Sequence, residues 1–329
     1  MELYRALGTL IEAPSPEHAR VAAALGLPAV PTPAEHGRVV VQQRYPYASV
    51  YLGAEGMLGG EARDRIAGFR RALGLEGDTG ADPERGGHAT GTSTSARAPD
   101  HLASLLGLLA AVEQWQREET DPARQALLTQ ARMTLIWEHL ASWIGPYLAT
   151  FEDCGAAFYQ AWASLFREAL DRLYDAVELP DYLPAALRAA TSLADPRREG
   201  GPAFIASLLA PVRSGLILLR DDLERLGDDV GLACRAGERR YVLNAFLAQD
   251  PGRTLGWLAG HAEGWSRRME VSGPVPIAAW WSERAENAAI VLEELAGEIQ
   301  PGSAARPAVA EADELESPGD LPTRATTLP

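Results

Sequence analysis

Apolar residues recur along this chain mostly at spacings of three and four positions, the period of a helix with one buried face. Alternating runs of β-branched residues are nearly absent, and VVVQQ at Val39–Gln43 is the one stretch that suggests a strand. The pattern predicts an all-α protein. Three apolar stripes are the expected core faces: Leu102, Leu105, Leu106, Leu109 and Val112; Leu135, His139, Trp143 and Tyr147; and Phe158, Trp162, Leu165, Phe166, Leu170 and Leu173.

Two stretches interrupt the periodicity. Residues 75–98 are crowded with Gly, Ser, Thr and Asp, which predicts a mobile loop within one domain. Residues 194–202 (ADPRREGGP) combine charge, proline and paired glycine, which predicts a linker. We therefore expect a helical domain over residues 1–195, a helical C-terminal module over 201–300, and a disordered acidic and proline-rich tail over 301–329.

The composition excludes several classes of protein. The chain has 329 residues and 47% hydrophobic content, which is enough to build a core. No apolar run approaches the roughly 20 residues that cross a bilayer, and the N-terminus lacks a signal-peptide pattern, so we expect a cytoplasmic protein without stable membrane insertion. The net charge of −15 disfavours nucleic acid as a partner, and is compatible with a basic peptide partner or simply with solubility.

The two cysteines, Cys154 and Cys234, lie far apart and show no CxxC spacing. This argues against a disulfide framework and against a zinc ribbon. We expect both side chains to be buried as small apolar residues.

Two short segments share the pattern acid-His-Leu-Ala-Ser: Asp100–Ser104 and Glu138–Ser142. Each supplies one histidine, whereas a helical zinc site usually has two ligands four positions apart. Neither serine lies in a GxSxG elbow, and the glycine-rich Gly53–Ala62 segment lacks the lysine of a phosphate loop. We therefore expect no catalytic residues, no metal and no cofactor.

The first of these segments opens a predicted helix. Pro99 suits a first helical position, and Asp100 suits the first turn, where free N–H groups favour a carboxylate. His101 would then lie partly exposed at the rim of the core. The pair is either a binding element for another molecule or a helix cap followed by an ordinary surface histidine.

The second segment belongs to an apolar stripe. Its histidine, His139, shares a helix face with Leu135 and Trp143, which is typical of a hydrogen-bonded core histidine. We therefore assign this segment to the scaffold. The scaffold residues are Glu138, His139, Leu140 and Trp143.

The order of these motifs resembles the TorD/DmsD/NarJ family of molybdoenzyme maturation chaperones. The shared order is an aromatic-proline turn with a small-residue hairpin, a helix, a loop, an acid-His-Leu box, and a His-Leu-x-x-Trp helix. The matching elements are Tyr45–Leu75, Ala98–Ala110 and Leu135–Phe151, followed by AFYQAWASLFREAL. The resemblance covers about residues 1–190, and the helices beyond residue 200 are an extension that shorter members lack.

The resemblance implies a TorD/DmsD-type helical bundle that acts as a non-enzymatic cytoplasmic chaperone. Such a chaperone binds the twin-arginine signal peptide, or a related N-terminal segment, of an apo-molybdopterin oxidoreductase catalytic subunit until its cofactor is inserted. The alternative is a helical accessory subunit that stays bound to an oxidoreductase complex. The sequence leaves the oligomeric state open, and a homodimer is one option. The family's peptide-binding positions fall on Pro99, Asp100, His101 and Leu102, and on Tyr45, Tyr47 and Tyr51 near the hairpin.

One departure affects the expected binding site. Many family members carry a glutamate shortly before the Pro-Asp-His sequence, where this chain has Arg97 and Ala98. One acidic contact to a basic peptide is therefore either absent or supplied elsewhere. In the extension, the GERR cluster at Gly237–Arg240 is either a contact for acidic client surface or an ordinary solvated helix start.

Overall fold

The computed structural model describes residues 2–75, 98–234, 236–270 and 272–299. The protein is all-α: none of the residues in these ranges belongs to a β-strand. The interior of the predicted mobile loop, 76–97, and the predicted tail, 301–329, lie outside the described residues.

Ten α-helices are described before residue 190, joined in two places by π-helical turns. The π-helical segments are Gly37–Val41, after α3, and Leu135–Ala141, between α7 and α8. The α-helices are α1 (Glu2–Leu10), α2 (Pro16–Ala24), α3 (Pro33–His36), α4 (Ala48–Leu52), α5 (Gly60–Ala72), α6 (Leu102–Glu118), α7 (Pro122–Thr134), α8 (Ser142–Ala149), α9 (Ala157–Asp175) and α10 (Ala185–Ala189).

The strand-like pattern at Val39–Gln43 is misleading. The backbone there is helical, with the N–H of Gln42 donating to the carbonyl of Gly37 at 3.0 Å. Val39 and Val40 are buried, and the hydrogen bonds of the π turn satisfy the backbone without a strand partner. Tertiary burial has overridden the β propensity of three consecutive valines.

The C-terminal part is also helical. Helices α16 and α17 pack along each other, with Gly252 at the start of one close to Ile299 at the end of the other. The predicted linker at 194–202 contains α11 and the start of α12. The helices are α11 (Pro196–Glu199), α12 (Gly201–Leu208), α13 (Pro211–Ser214), α14 (Arg220–Val230), α15 (Arg239–Gln249), α16 (Pro251–Met269) and α17 (Val275–Ile299).

One hydrophobic core runs through both parts of the chain, from α1 to α17. Trp281 of α17 is buried, and its indole N–H donates to the carbonyl of Ser142 at 3.0 Å. A Cβ on Gly145 would lie 2.6 Å from the carbonyl oxygen of Ser272, so the two backbones approach closely. The C-terminal module is thus packed into the same core as the N-terminal helices, and independent folding of residues 1–195 stays a prediction.

Polar contacts fix the start of α14 to the turn that precedes α4. Gln43 donates through its side-chain amide to Asp221 at 2.9 Å. Arg44, which is buried, donates to the carbonyls of Val39 at 3.2 Å and Thr150 at 2.9 Å, and its guanidinium lies 3.7 Å from the carboxylate of Asp221. Because two carbonyls and a carboxylate lie against the guanidinium, its charge is accommodated inside the protein.

Among the helices of the described ranges, none is long and apolar enough to span a bilayer.

Candidate functional site

The box Pro99–Leu102 pairs with the segment around Tyr47. An isolated antiparallel β-bridge joins Tyr47 to His101. Next to it, the N–H of Ala48 donates to the carbonyl of Asp100 at 3.0 Å. The fold therefore brings together the two elements that carry the predicted binding residues, although a long stretch of sequence separates them.

Helix α6 begins at Leu102, later than predicted. The N-cap is His101, whose Nδ1 accepts a hydrogen bond from the N–H of Ala103 at 3.1 Å. The prediction that Pro99 occupies the first helical position and Asp100 the first turn is wrong. Both residues lie in the turn before the helix, because their backbone pairs with the distant Tyr47 segment instead of continuing the helix.

The whole box is buried, so the expectation of a partly exposed pair is wrong as well. Asp100 is 1% exposed and His101 is 2% exposed. Burial lowers the pKa of His101 to about 4, so its imidazole is neutral at pH 7 and free to accept a hydrogen bond. The rings of His101 and Tyr47 pack in a T-shaped arrangement, with their centroids 4.8 Å apart.

Asp100 holds Ser49, near the start of α4. The Ser49 hydroxyl donates to Oδ2 of Asp100 at 2.5 Å, and the Ser49 N–H donates to the same oxygen at 3.3 Å. Ser49 Oγ in turn accepts from the N–H of Gly59 at 3.1 Å. The buried carboxylate thus caps α4 and, through the serine, secures one end of the segment Gly53–Gly59, which we call the hairpin loop.

The hairpin loop exposes two large apolar side chains, Met57 at 64% and Leu58 at 59%. Its other side touches the C-terminal module. Gly56 has φ of +62°, and a Cβ there would lie 2.6 Å from the carbonyl oxygen of Leu209. Only glycine permits both this conformation and this approach. The loop is therefore held between the buried box and the end of α12.

A cleft lies on each side of the hairpin loop. The larger one, which we call the α15 cleft, has a volume of about 610 Å³ and opens between the loop and helices α12, α14 and α15. The smaller one, of about 380 Å³, opens between the loop and helices α5, α10 and α13. Apolar residues of the α15 cleft include Tyr45, Val50, Met57, Leu58, Leu223 and Val242.

The three predicted binding tyrosines differ in accessibility. Tyr45 is partly buried, lines the α15 cleft, and donates to the carbonyl of Gln42 at 3.2 Å. Tyr47 is also partly buried. Tyr51 belongs to the core, where its ring stacks on Trp143 with centroids 5.3 Å apart and burial raises its pKa. Of the three, Tyr45 is the one placed to touch a ligand in the α15 cleft.

The second box lies in the middle of a continuous helical stretch, in the π turn Leu135–Ala141. His139 packs on Phe69 with ring centroids 4.9 Å apart, and burial, together with the nearby Arg65, lowers its pKa to about 4. Glu138 accepts at Oε2 from the N–H of Ala185 at 2.7 Å, at the first residue of α10.

The rest of this box is internal. Leu140 and Trp143 are buried, and the indole N–H of Trp143 donates to the carbonyl of His139 at 2.8 Å. None of these residues lines either cleft beside the hairpin loop. A scaffold role for the segment stays a prediction, and its placement is compatible with one.

Residues 40–149 match the family model described as the nitrate reductase delta subunit. The matched range contains both boxes and the hairpin loop, covers less than half of the chain, and ends before the C-terminal module. The match supports the resemblance of this range to the NarJ/TorD-like molybdoenzyme maturation chaperones, which are maturation factors and not catalytic subunits. No curated protein and no solved structure matched the chain.

The environment of the two cysteines differs. Cys154 is buried, as predicted, but Cys234 is exposed and lines the α15 cleft, so the prediction is wrong for the second residue. Cys234 follows α14 in a non-helical stretch, where no apolar stripe draws it into the core. Within the described ranges, no group of three or more His, Cys, Asp or Glu side chains could hold a metal ion.

The sequence analysis missed two features of this region. Met57 and Leu58 stand together among glycines, which fits neither a helical nor a strand period, and such a pair is a recognisable signal for an exposed apolar patch. Ser49 gave no comparable signal. In the apolar run ASVYL it looks like a small core residue, and its partner Asp100 is 51 positions away.

Proposed function

We propose that this protein is a cytoplasmic maturation chaperone that binds the N-terminal segment, with its twin-arginine signal peptide, of an apo-molybdopterin oxidoreductase catalytic subunit. It holds the client while the cofactor is inserted, and so delays export. The observation that carries the proposal is the match of residues 40–149 with the nitrate reductase delta subunit family. That range supplies the hairpin loop and one side of the α15 cleft.

The box Pro99–Leu102 has an indirect role in this proposal. Because it is buried, it acts by fixing the hairpin loop through Asp100, Ser49 and Gly59. Tyr47 packs against His101 of the box, and Tyr51 packs on Trp143 in the core, so both act indirectly in this proposal. The contact with the peptide falls to Tyr45, which is partly buried and lines the α15 cleft, and to the exposed Met57 and Leu58 of the hairpin loop.

The chemistry of a twin-arginine segment suits such a site. Each guanidinium is a rigid fork of donors that carboxylates accept in pairs, and the apolar stretch that follows needs a hydrophobic groove. The net charge of −15 attracts a basic peptide over a distance set by the ionic strength. A chaperone of this kind needs no catalytic group.

Calorimetry with the full-length chain and a synthetic twin-arginine peptide tests the proposal. The wild type should bind the peptide and should bind a version with both arginines changed to glutamine more weakly. Asp100→Asn should weaken binding by about 1–2 kcal/mol, because the neutral side chain holds Ser49 less firmly. The matched control is Glu138→Gln, which alters the equivalent acid of the second box and should leave the affinity unchanged.

Two outcomes would contradict the proposal. The first is a wild-type protein that binds neither peptide. The second is stoichiometric co-purification of the chain with mature, cofactor-loaded oxidoreductase from its native cells, which would favour the alternative of a resident accessory subunit.

A further inference from the structure

We infer that the C-terminal module forms one side of the client-binding cleft, and that Glu55 and Glu238 receive the paired arginines of the client segment. The apolar stretch of the client would then cover Met57, Leu58 and Val242. The module lies outside the range that matches the family, so the match itself assigns it no part in binding. This inference therefore rests on the proposed function and deepens it. It assigns to the extension a direct part in ligand binding.

The two carboxylates approach the α15 cleft from different parts of the chain. Glu55 belongs to the hairpin loop, and Glu238 is the N-cap residue of α15. Both are exposed, and neither has an ion-pair partner among the described residues. Three arginines also line the cleft, but neither carboxylate is held in an ion pair, so both are available to a basic ligand at little desolvation cost.

Two arginines of the cleft are already engaged. Arg220 lies 3.7 Å from the carboxylate of Glu224 on its own helix. Arg239 donates through Nη1 to the carbonyl of Leu218 at 2.7 Å. The carboxylate of Glu224 offsets the charge of Arg220, whereas the carbonyl of Leu218 occupies one donor of Arg239 and leaves its charge in place.

The third arginine of the cleft, Arg240, allows a test of the sign of the ligand's charge. It lies two residues beyond Glu238, is exposed, and has no ion-pair partner in the described parts of the chain. A basic ligand gains from Glu238 and is repelled by Arg240, whereas an acidic ligand would show the reverse. Neutralising each side chain in turn thus reveals the charge of the natural occupant.

The apolar part of the cleft fits the rest of the ligand. Leu223 and Val242 of the module are buried at its floor, and Met57 and Leu58 project from the loop into water. A ligand that covers the loop residues removes apolar surface from water on both partners. A volume of about 610 Å³ accommodates several side chains of an extended or helical peptide.

The geometry of the cleft is fixed before a ligand arrives. The contact of Gly56 with Leu209 holds the loop against α12, and the hydrogen bond of Gln43 with Asp221 holds the turn before α4 against α14. A preformed cleft spends less binding energy on ordering.

Fluorescence anisotropy with the full-length chain tests the inference. The probe is a labelled peptide with two adjacent arginines followed by an apolar stretch of leucine and alanine, at low salt. Glu55→Gln and Glu238→Gln should each weaken binding about threefold, and the double variant about tenfold. Arg240→Gln should strengthen binding about twofold. Glu286→Gln, an exposed glutamate of α17 outside the cleft and without an ion-pair partner among the described residues, should change nothing.

A second peptide, with both arginines changed to glutamine, separates the contact from a general charge effect. With this peptide the loss caused by Glu238→Gln should disappear, as a double-mutant cycle requires for a direct contact. A third peptide, with a benzophenone in its apolar stretch, should cross-link to α15 and to the hairpin loop.

Each result bears on either the inference or the function. If the wild type binds but Glu55→Gln and Glu238→Gln behave like Glu286→Gln, the inference is overturned and the proposed function survives. If Arg240→Gln weakens binding while Glu238→Gln strengthens it, the cleft takes an acidic ligand and the inference is overturned. If the wild type binds none of the peptides, both the proposed function and the inference fail.

Discussion

The segments Asp100–Ser104 and Glu138–Ser142 have nearly the same sequence but different places in the fold. The first begins a helix, and the second lies inside one, in a π turn. In both, the acid caps the start of a different helix: the first accepts from the N–H of Ser49 in α4, and the second from the N–H of Ala185 in α10. The same residues perform the same local task, and their position decides which part of the protein they secure.

The histidines of the two segments are alike in burial and in pKa but differ in the rings that they contact. Both are buried, and burial lowers both pKa values to about 4. His101 contacts Tyr47, whereas His139 contacts Phe69. The first segment is connected to the hairpin loop through Asp100 and Ser49. The second is connected to the C-terminal module through the hydrogen bond between Ser142 and Trp281.

The largest difference in stability between variants of the two segments should appear at the residue that follows the shared pattern. This residue is Trp143 in one segment and Leu105 in the other, and both are buried. Trp143→Ala should lower the free energy of unfolding by about 3–5 kcal/mol, because it removes an indole that stacks on Tyr51. Leu105→Ala should cost less, about 2–4 kcal/mol. Urea denaturation measures both, and a smaller loss for the tryptophan would show that it is loosely packed.

The pH dependence of stability should be similar for the two segments. Each histidine has a pKa of about 4 in the folded protein and about 6.5 when unfolded. Below pH 6.5 the unfolded chain therefore binds more protons, and stability falls as the pH is lowered towards 4. The loss from each histidine approaches about 3 kcal/mol near pH 4 and then levels off.

Urea midpoints at pH 7, 5.5 and 4.5 measure this dependence. His101→Asn and His139→Gln should each flatten the curve by a similar amount, after allowance for their stability at pH 7. A variant whose curve keeps the slope of the wild type would show that its histidine is protonated in the folded protein.

The smallest effects on stability are expected for the two acids, Asp100 and Glu138, and they should differ in size. Asp100→Ala should cost about 2–3 kcal/mol, because it leaves the buried donors of Ser49 without an acceptor. Glu138→Ala should cost about 1 kcal/mol, since this partly buried residue caps a short helix at the edge of the core. Hydrogen exchange gives the sharper readout: the N–H of Gly59 should lose protection in the first variant and keep it in the second. Equal protection of the Gly59 N–H in the two variants would show that Asp100 does not hold the hairpin loop.

The helical fold could be predicted because its signal is local. The stripe of Leu135, His139, Trp143 and Tyr147 is buried as its spacing indicates. Residues 194–202 show how one local signal serves two structures. Their charges, proline and glycines predict a linker, which stays a prediction, and the same features start the short helix α11, where Asp195 accepts from the N–H of Arg197 at 2.9 Å.

The candidate site could be predicted only in outline. Motif order brought the box and the tyrosines into one hypothesis, but local rules placed Pro99 and Asp100 inside a helix that begins at Leu102. The deciding contacts are with Tyr47 and Ser49, about fifty positions earlier in the chain. No propensity or spacing rule encodes pairings over such distances, and the same holds for the packing of the extension on the hairpin loop.

The exposure of Cys234 makes the protein convenient to observe. The chain has two cysteines, and since Cys154 is buried, a maleimide dye should attach mainly to Cys234. Desolvation and the neighbouring Glu224 raise the pKa of the Cys234 thiol, so labelling calls for a mildly alkaline buffer. Because this side chain lines the α15 cleft, an environment-sensitive dye there reports occupancy of the cleft in the native sequence. Arrival and departure of a ligand can thus be followed in real time, without introducing a cysteine.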